Sequence, residues 1–294
     1  MELYIGNSWR GLGVVIKDSP LSLRPLGATL GSEVIGLDLA KPMSDGLVDA
    51  VRQAFHDNLI LLFRDQTLSP GDQVAFTRHF GAVEAHPLGS RRGLDDHPEI
   101  LVLENRPGNP GARNDFWHSD ISFSECPPLG SVLHAIDAPA PYGDTMFCNM
   151  YKAYEDLSPG LRRMLDPMTA LHSAAPLVRR NNDEANDGLP IRNIPDPAEH
   201  PVVRTHPGTG RKAIFISDYY TERFTGMTAE ESRPLIQYLC AQAIRPENLY
   251  RHRWRNGDVL MWDNRCAMHY AVRDYDETMP RLMHRTTAAG ERPV

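Results

Sequence analysis

Short apolar and β-branched runs, cut by Gly, Pro and polar turns, recur along this chain, and they do not alternate with regular helices. Leu21 to Pro25, Glu33 to Leu39, Leu59 to Phe63, Ile100 to Leu103, Gly130 to Ile136 and Asp144 to Cys148 all read as strands. Val202 to Thr205 and Ala213 to Ile216 read as a hairpin around a Pro-Gly-Thr-Gly turn. The last third adds strands at Leu249 to Trp254, Asp258 to Trp262, Cys266 to Tyr270 and Arg281 to Thr287. Helices are few. An apolar stripe of Leu47, Val48, Val51 and Phe55 predicts one over Ser44 to Phe55. Ser69-Pro70-Gly71-Asp72 opens a second, which runs to about Phe80. Tyr151 to Leu157 and Pro159 to Leu165 predict two more. Thr228-Ala229-Glu230-Glu231 is a capping box that opens a helix to about Ala241. This order excludes a doubly wound α/β fold and predicts a mainly β domain, a sandwich or barrel with helical insertions.

A chain of 294 residues can form one such domain, and we read 1–294 as a single unit. The net charge of −7 argues against nucleic acid as the main partner, because phosphate binding needs a basic surface. The apolar runs are too short to span a membrane, and the N-terminus lacks a signal-peptide pattern. Cys126, Cys148, Cys240 and Cys266 show no paired spacing, so they read as free thiols of a cytoplasmic protein. Leu177 to Pro201 is long, polar and aperiodic. Such a segment inside a compact domain is a lid or is disordered, and we read it as an active-site lid.

The chemistry centres on Asn114-Asp115-Phe116-Trp117-His118-Ser119-Asp120. On a strand or strand end, residues two apart point to one face, so His118 and Asp120 would project side by side. Those are two of the three ligands of a mononuclear non-haem iron site. His-x-Asp alone is more often a pair of surface polar residues. A third candidate, His269, lies in Trp262-Asp263-Asn264-Arg265-Cys266-Ala267-Met268-His269-Tyr270, at the end of an apolar strand before a polar turn. Of the other histidines, His56, His79, His97, His206 and His252 read as surface or structural. Trp117 and Trp262 read as packing residues beside the site.

Taken in order, Trp117-His118-Ser119-Asp120, Gly143-Asp144-Thr145, Trp262-Asp263-Asn264-Arg265 with His269, and Arg281-Leu282-Met283-His284-Arg285 resemble the taurine dioxygenase/2,4-dichlorophenoxyacetate dioxygenase family. The resemblance covers nearly the whole chain. It implies a double-stranded β-helix (jelly-roll) core and an Fe(II)- and 2-oxoglutarate-dependent dioxygenase that uses O2 and releases succinate and CO2. It also implies that His118, Asp120 and His269 bind iron, and that Thr145 and Arg281 hold the far carboxylate of 2-oxoglutarate. An Asp at position 120 implies hydroxylation rather than halogenation.

For the substrate, the resemblance points to His86, Asn114 and Arg285 around an anionic head group, with Tyr219 lining the pocket. It implies a small organosulfonate or sulfate ester, or else an aryloxyalkanoate or other carboxylate. Gly89 stands where taurine-specific members carry Tyr. Arg204 to Lys212 also resembles aryloxyalkanoate-degrading members. Two other classes stay open: a zinc hydrolase on the same three ligands, and a jelly-roll binding protein without catalysis. Self-association as a homo-oligomer is a further expectation.

Overall fold

The computed structural model describes residues 21–88, 93–107, 114–183, 193–276 and 278–294. Its strands are β1 (Ser22–Pro25), β2 (Ser32–Ile35), β3 (Ile60–Phe63), β4 (Gly93–Leu94), β5 (His97–Asn105), β6 (Gly130–Asp137), β7 (Thr145–Asn149), β8 (Thr169–His172), β9 (Ala198–Pro201), β10 (Val203–Thr205), β11 (Lys212–Ile214), β12 (Thr221–Phe224), β13 (Leu249–His252), β14 (Val259–Asp263), β15 (Ala267–Ala271) and β16 (Arg281–Ala288). Its α-helices are α1 (Asp45–Asn58), α2 (Pro70–Arg78), α3 (Met150–Glu155), α4 (Pro159–Leu165), α5 (Ala175–Asp183) and α6 (Ala229–Ala243). The protein is therefore mainly β.

The largest sheet has the order β1-β2-β3-β14-β6-β16-β5-β4, and β13-β7-β15 form a second. β12-β8-β9 and the β10-β11 hairpin complete the set among the described residues. The Leu59 to Phe63 run is continuous because β3 is buried on both faces. Leu61 and Phe63 pack with Val132, Val259 and Met261 under Val51, Ala54 and Phe55 of α1 and Phe76 of α2. Ile60 and Leu62 face the other way, into a core with Leu133, Leu260, Trp262, Met283 and Phe147. Residues of β7 and β16 thus meet in the space between the two main sheets.

The helix starts are chemical. The Ser69 hydroxyl accepts from Asp72 N while the Asp72 carboxylate accepts from Ser69 N. Thr228 and Glu231 repeat this box at α6. Gln73 of α2 donates to the Val132 and His284 carbonyls at 3.1 and 2.9 Å, which fastens the helix to the outer face of the large sheet.

Three expectations change. Glu33 to Leu39 forms a shorter strand, because Gly36 turns the chain at φ +76°. The stretch 177–201 is not structureless at its ends, since it begins within α5 and closes in β9. Only Leu177 and Val178 are buried in α5, too few for a helical period to show. His118 and Asp120 do not sit on a regular strand. His118 makes one isolated bridge, and Ile121 then takes φ +51° at the start of a turn.

A pair of buried histidines makes the fold acid-sensitive. Burial, then repulsion from His200, pushes the His172 pKa down to about 3 from 6.5. Burial lowers His200 and His252 too. Between pH 6.5 and about 3 the unfolded chain binds protons that folded His172 refuses, so stability falls as pH drops through that window. Each such group adds a slope of up to about 1.4 kcal/mol per pH unit. Urea denaturation at stepped pH should show this loss, and His172→Asn should flatten it; an unchanged slope would remove His172 as a source.

Candidate metal centre and cofactor cleft

The site begins with backbone pairing. His118 N donates to His269 O at 3.0 Å, and His269 N donates to His118 O at 2.8 Å. This bridge sets the two imidazoles side by side, with ring centroids 4.2 Å apart. The turn after Ser119 brings Asp120 Oδ1 to 3.8 Å from His118 Nε2 and 3.9 Å from His269 Nε2. All three side chains are buried.

The protonation states suit a cation. His118 Nδ1 lies 2.8 Å from the Phe116 carbonyl, which can only accept, so the proton sits on Nδ1 and the Nε2 lone pair faces Asp120. Burial first, then the adjoining His118 imidazole, which opposes a second proton beside it, pushes His269 down to about 3, so it stays neutral. Burial alone would raise the Asp120 pKa. The Arg285 guanidinium first, then the two imidazoles and the Ser131 hydroxyl, more than offset it and hold the carboxyl well below its usual range. Arg285 Nη1 donates to Oδ1 and Ser131 Oγ to Oδ2, each at 2.7 Å. Two neutral imidazole nitrogens and one ionised carboxylate on a common side match the donor set of a non-haem Fe(II) site.

Among the described residues one other group could hold a metal, namely His206, Asp263 and Cys266. It is already committed. Asp263 Oδ1 accepts from Arg265 N and Nε, both at 2.9 Å, and Oδ2 accepts from Arg265 Nη2 at 2.7 Å. His206 Nδ1 accepts from Gly208 N and Thr209 N, so Nε2–H donates to Asp263 Oδ2 at 3.0 Å. Burial raises the Cys266 thiol pKa well above its ordinary value, so it remains a poor ligand. This cluster ties the end of β14 to the β10–β11 turn. His206 is accordingly structural and wholly buried. The spacing of Asp263 and Arg265, two apart at a strand end, was the available signal.

The expected cofactor residues lie on the two facing sheets. Thr145 pairs with Ala271 and Phe147 with His269, so Thr145 and His269 share one face of β7–β15. Trp254 Nε1 donates to Thr145 Oγ1 at 2.9 Å, which leaves the hydroxyl proton for another acceptor. Gly143 is required there: at φ +74° its Cβ would meet the Tyr275 ring at 3.2 Å. On β16, Arg281 and Arg285 lie on the face of buried Met283. Arg281 is half-buried as a residue, yet its Nε is fully buried without a partner. Burial lowers its pKa, and among the described residues the Tyr275 ring lies 6.0 Å from the guanidinium. A buried guanidinium without a carboxylate partner, on the sheet that faces a free hydroxyl proton, fits an incoming dicarboxylate.

A cavity beside the triad is lined by His86, Asn114, Arg285, Ile121, Leu177 and Tyr220 among others. Three of the four expected substrate residues line it. The fourth, Tyr219, stacks on Phe116 at 3.5 Å and meets the Tyr220 ring edge-on at 5.2 Å. His86 Nδ1 accepts from Leu88 N at 3.3 Å, which puts the ring proton on Nε2, where it can donate. Leu177 brings α5 to the cavity wall. Arg180 of α5 pairs with Asp115 and lies 5.6 Å over Phe116, so the helix is fastened to the His118 segment. Gly89 lies outside the described residues.

The profile of the Taurine catabolism dioxygenase TauD, TfdA family matches residues 22–287. The chain is 34% identical over 291 residues to an alpha-ketoglutarate-dependent sulfate ester dioxygenase of Pseudomonas putida, covering 93% of this chain and 91% of that protein. It is 34% identical to an alpha-ketoglutarate-dependent 2,4-dichlorophenoxyacetate dioxygenase of a Burkholderia strain, over 88% of this chain and 91% of that one. Among solved structures, AAD-2 in complex with Mn(II) and N-oxalylglycine superposes with a TM-score of 0.80 at 30% identity, covering 93% and 99% of the two chains. A taurine dioxygenase from Burkholderia xenovorans gives 0.78 at 32% identity, covering 93% and 91%.

Proposed function

This chain belongs to the TauD, TfdA family of dioxygenases, and from that premise we propose that it hydroxylates a small organic anion, with a sulfate ester or organosulfonate as the first choice. It is an alpha-ketoglutarate-dependent oxygenase that uses Fe(II) and O2. We assign His118, Asp120 and His269 to the iron, and Thr145 and Arg281 to the far carboxylate of 2-oxoglutarate. The iron supplies the oxidising chemistry: one oxygen atom of O2 enters succinate as CO2 leaves, and the other enters the substrate. Hydroxylation next to a sulfate or ether oxygen gives a product that breaks down to a carbonyl compound and the released group.

The observation that carries the substrate class is the convergence of Arg285, His86 and Asn114 on one cavity beside the triad. A guanidinium, a ring N–H and an amide can all donate to an oxyanion. Ile121, Phe123, Leu177 and Tyr220 line the rest and suit an alkyl or aryl tail. The same tail contacts suit an aryloxyalkanoate, which is the second choice. We read the β13-β7-β15 sheet and the large sheet as the two halves of a jelly roll, and α5 as a wall of the cavity; residues 184–192 of the expected lid lie outside the described residues.

Alkyl sulfates, sulfonates and aryloxyacetates should be scored for succinate and for the released group. An oxygenase releases sulfate only with O2 and 2-oxoglutarate present. Sulfate released without either supports the zinc-hydrolase reading and sinks this one. Arg281→Ala should raise the KM for 2-oxoglutarate by about tenfold to a hundredfold, the worth of a charge-assisted hydrogen-bonded pair. An unchanged KM removes Arg281 from the cofactor site.

A further inference from the structure

We propose that Ser131, Asn264 and Trp262 form a directed hydrogen-bond chain that makes Asp120 a one-oxygen ligand. The proposal rests on the assignment of Asp120 to the iron. Ser131 of β6 pairs directly with Trp262 of β14, and Asn264 follows two residues later, at the strand end. Their side chains meet on the inner side of the large sheet, and all three are buried. Trp262 Nε1 lies 3.0 Å from Asn264 Oδ1, and Asn264 Nδ2 lies 3.1 Å from Ser131 Oγ. Ser131 Oγ in turn lies 2.7 Å from Asp120 Oδ2. The loop closes on itself, because Asp120 N donates to Asn264 Oδ1 at 3.3 Å.

Every proton in this chain has one allowed place. An indole nitrogen only donates, so the Asn264 oxygen must face Trp262. The amide nitrogen must then face Ser131, whose oxygen accepts. The single hydroxyl proton of Ser131 is left for the carboxylate. No rotor or amide flip offers an alternative without burying two donors against each other, which is costly. Oδ2 is thereby held by Ser131 on the side away from the histidines, while Oδ1, which also accepts from Arg285 Nη1 at 2.7 Å, keeps its second lone pair for the side of both imidazoles. Ser131, Asn264 and Trp262 touch neither substrate nor iron. They are positioning residues.

The test is metal affinity of the iron-free protein, read by Co(II) titration and by the Co(II) absorption spectrum. Ser131→Ala should weaken binding about tenfold to a hundredfold, the usual effect of removing an outer partner of a metal ligand. It should also shift the Co(II) bands, while Ser131→Thr, which keeps the hydroxyl, restores most of the affinity. Asn264→Ala should move both readouts in the same direction. The double variant should lose less than the product of the two single losses, because Asn264 acts through Ser131. Wild-type binding with unchanged affinity and bands in Ser131→Ala and Asn264→Ala overturns the chain alone. A wild type that takes up no Co(II) or Fe(II) overturns the assignment of Asp120 itself.

Discussion

His118→Ala should abolish 2-oxoglutarate-dependent turnover, by about three orders of magnitude or more. Each tenfold costs about 1.4 kcal/mol, and a catalytic metal supplies several kcal/mol. The substitution isolates the chemistry because no charged partner of this side chain is left stranded in the core, unlike Arg285 when Asp120 is removed. His118 Nδ1 hydrogen-bonds the Phe116 carbonyl, and the bridge to His269 is made by backbone atoms, which remain. Losing one such bond costs about 1 kcal/mol, or a few degrees in the melting temperature of a domain this size. Asp120→Ala is a worse experiment, since it strands the Arg285 guanidinium in the interior. Succinate formation, metal uptake and thermal unfolding should be measured together on His118→Ala. A variant that turns over within tenfold of wild type would show that the metal lies elsewhere.

Arg265→Ala should destabilise the fold by about 3–5 kcal/mol, as expected when one partner of a buried ion pair is removed. Asp263 is wholly buried and takes three hydrogen bonds from Arg265. Burial alone would raise its pKa. The Arg265 charge first, and then its hydrogen bonds and those of His206, hold the carboxyl well below its usual range. Without the guanidinium, only the His206 N–H and the residue-265 amide remain as donors. Burial then raises the carboxyl pKa above its ordinary value, so this group makes stability fall as pH rises past the ordinary carboxylate range, the opposite sense to the His172 effect. Urea denaturation gives the size of the loss, and its pH dependence identifies the cause. Arg265→Lys keeps the charge but not the planar fork and should fall between. A loss of under 1 kcal/mol would mean that the cluster relaxes or admits water.

The strands and caps were legible because single residue types dictate them. The four-residue apolar run of β3 and the Ser69-Pro70 and Thr228-Glu231 starts needed no tertiary information. The metal triad is legible through its motif, but the geometry that assembles it is not, because Asp120 reaches its place by a turn after a single bridge and not by the two-residue repeat of a strand. The Asp263–Arg265–His206 cluster escaped notice because His206 looks like any histidine before a proline, and only the fold brings it to Asp263. The α5 helix escaped because two adjacent apolar residues carry no period.

The bridge between His118 and His269 has a consequence for the order of assembly. The two histidines sit on segments far apart in the chain, so closing that loop is an entropic cost met by the whole core rather than by the ion. Phe147, Trp262 and Met268 are packed around this region through apolar contacts that involve no metal. The unfolded chain holds no preformed site, so the ion binds the finished protein and stabilises only that state. At a free metal concentration a hundredfold above its dissociation constant this adds about 2.7 kcal/mol. With the triad assigned to iron, the scaffold is expected to fold without the metal, and removing and restoring the ion should leave the far-UV spectrum unchanged.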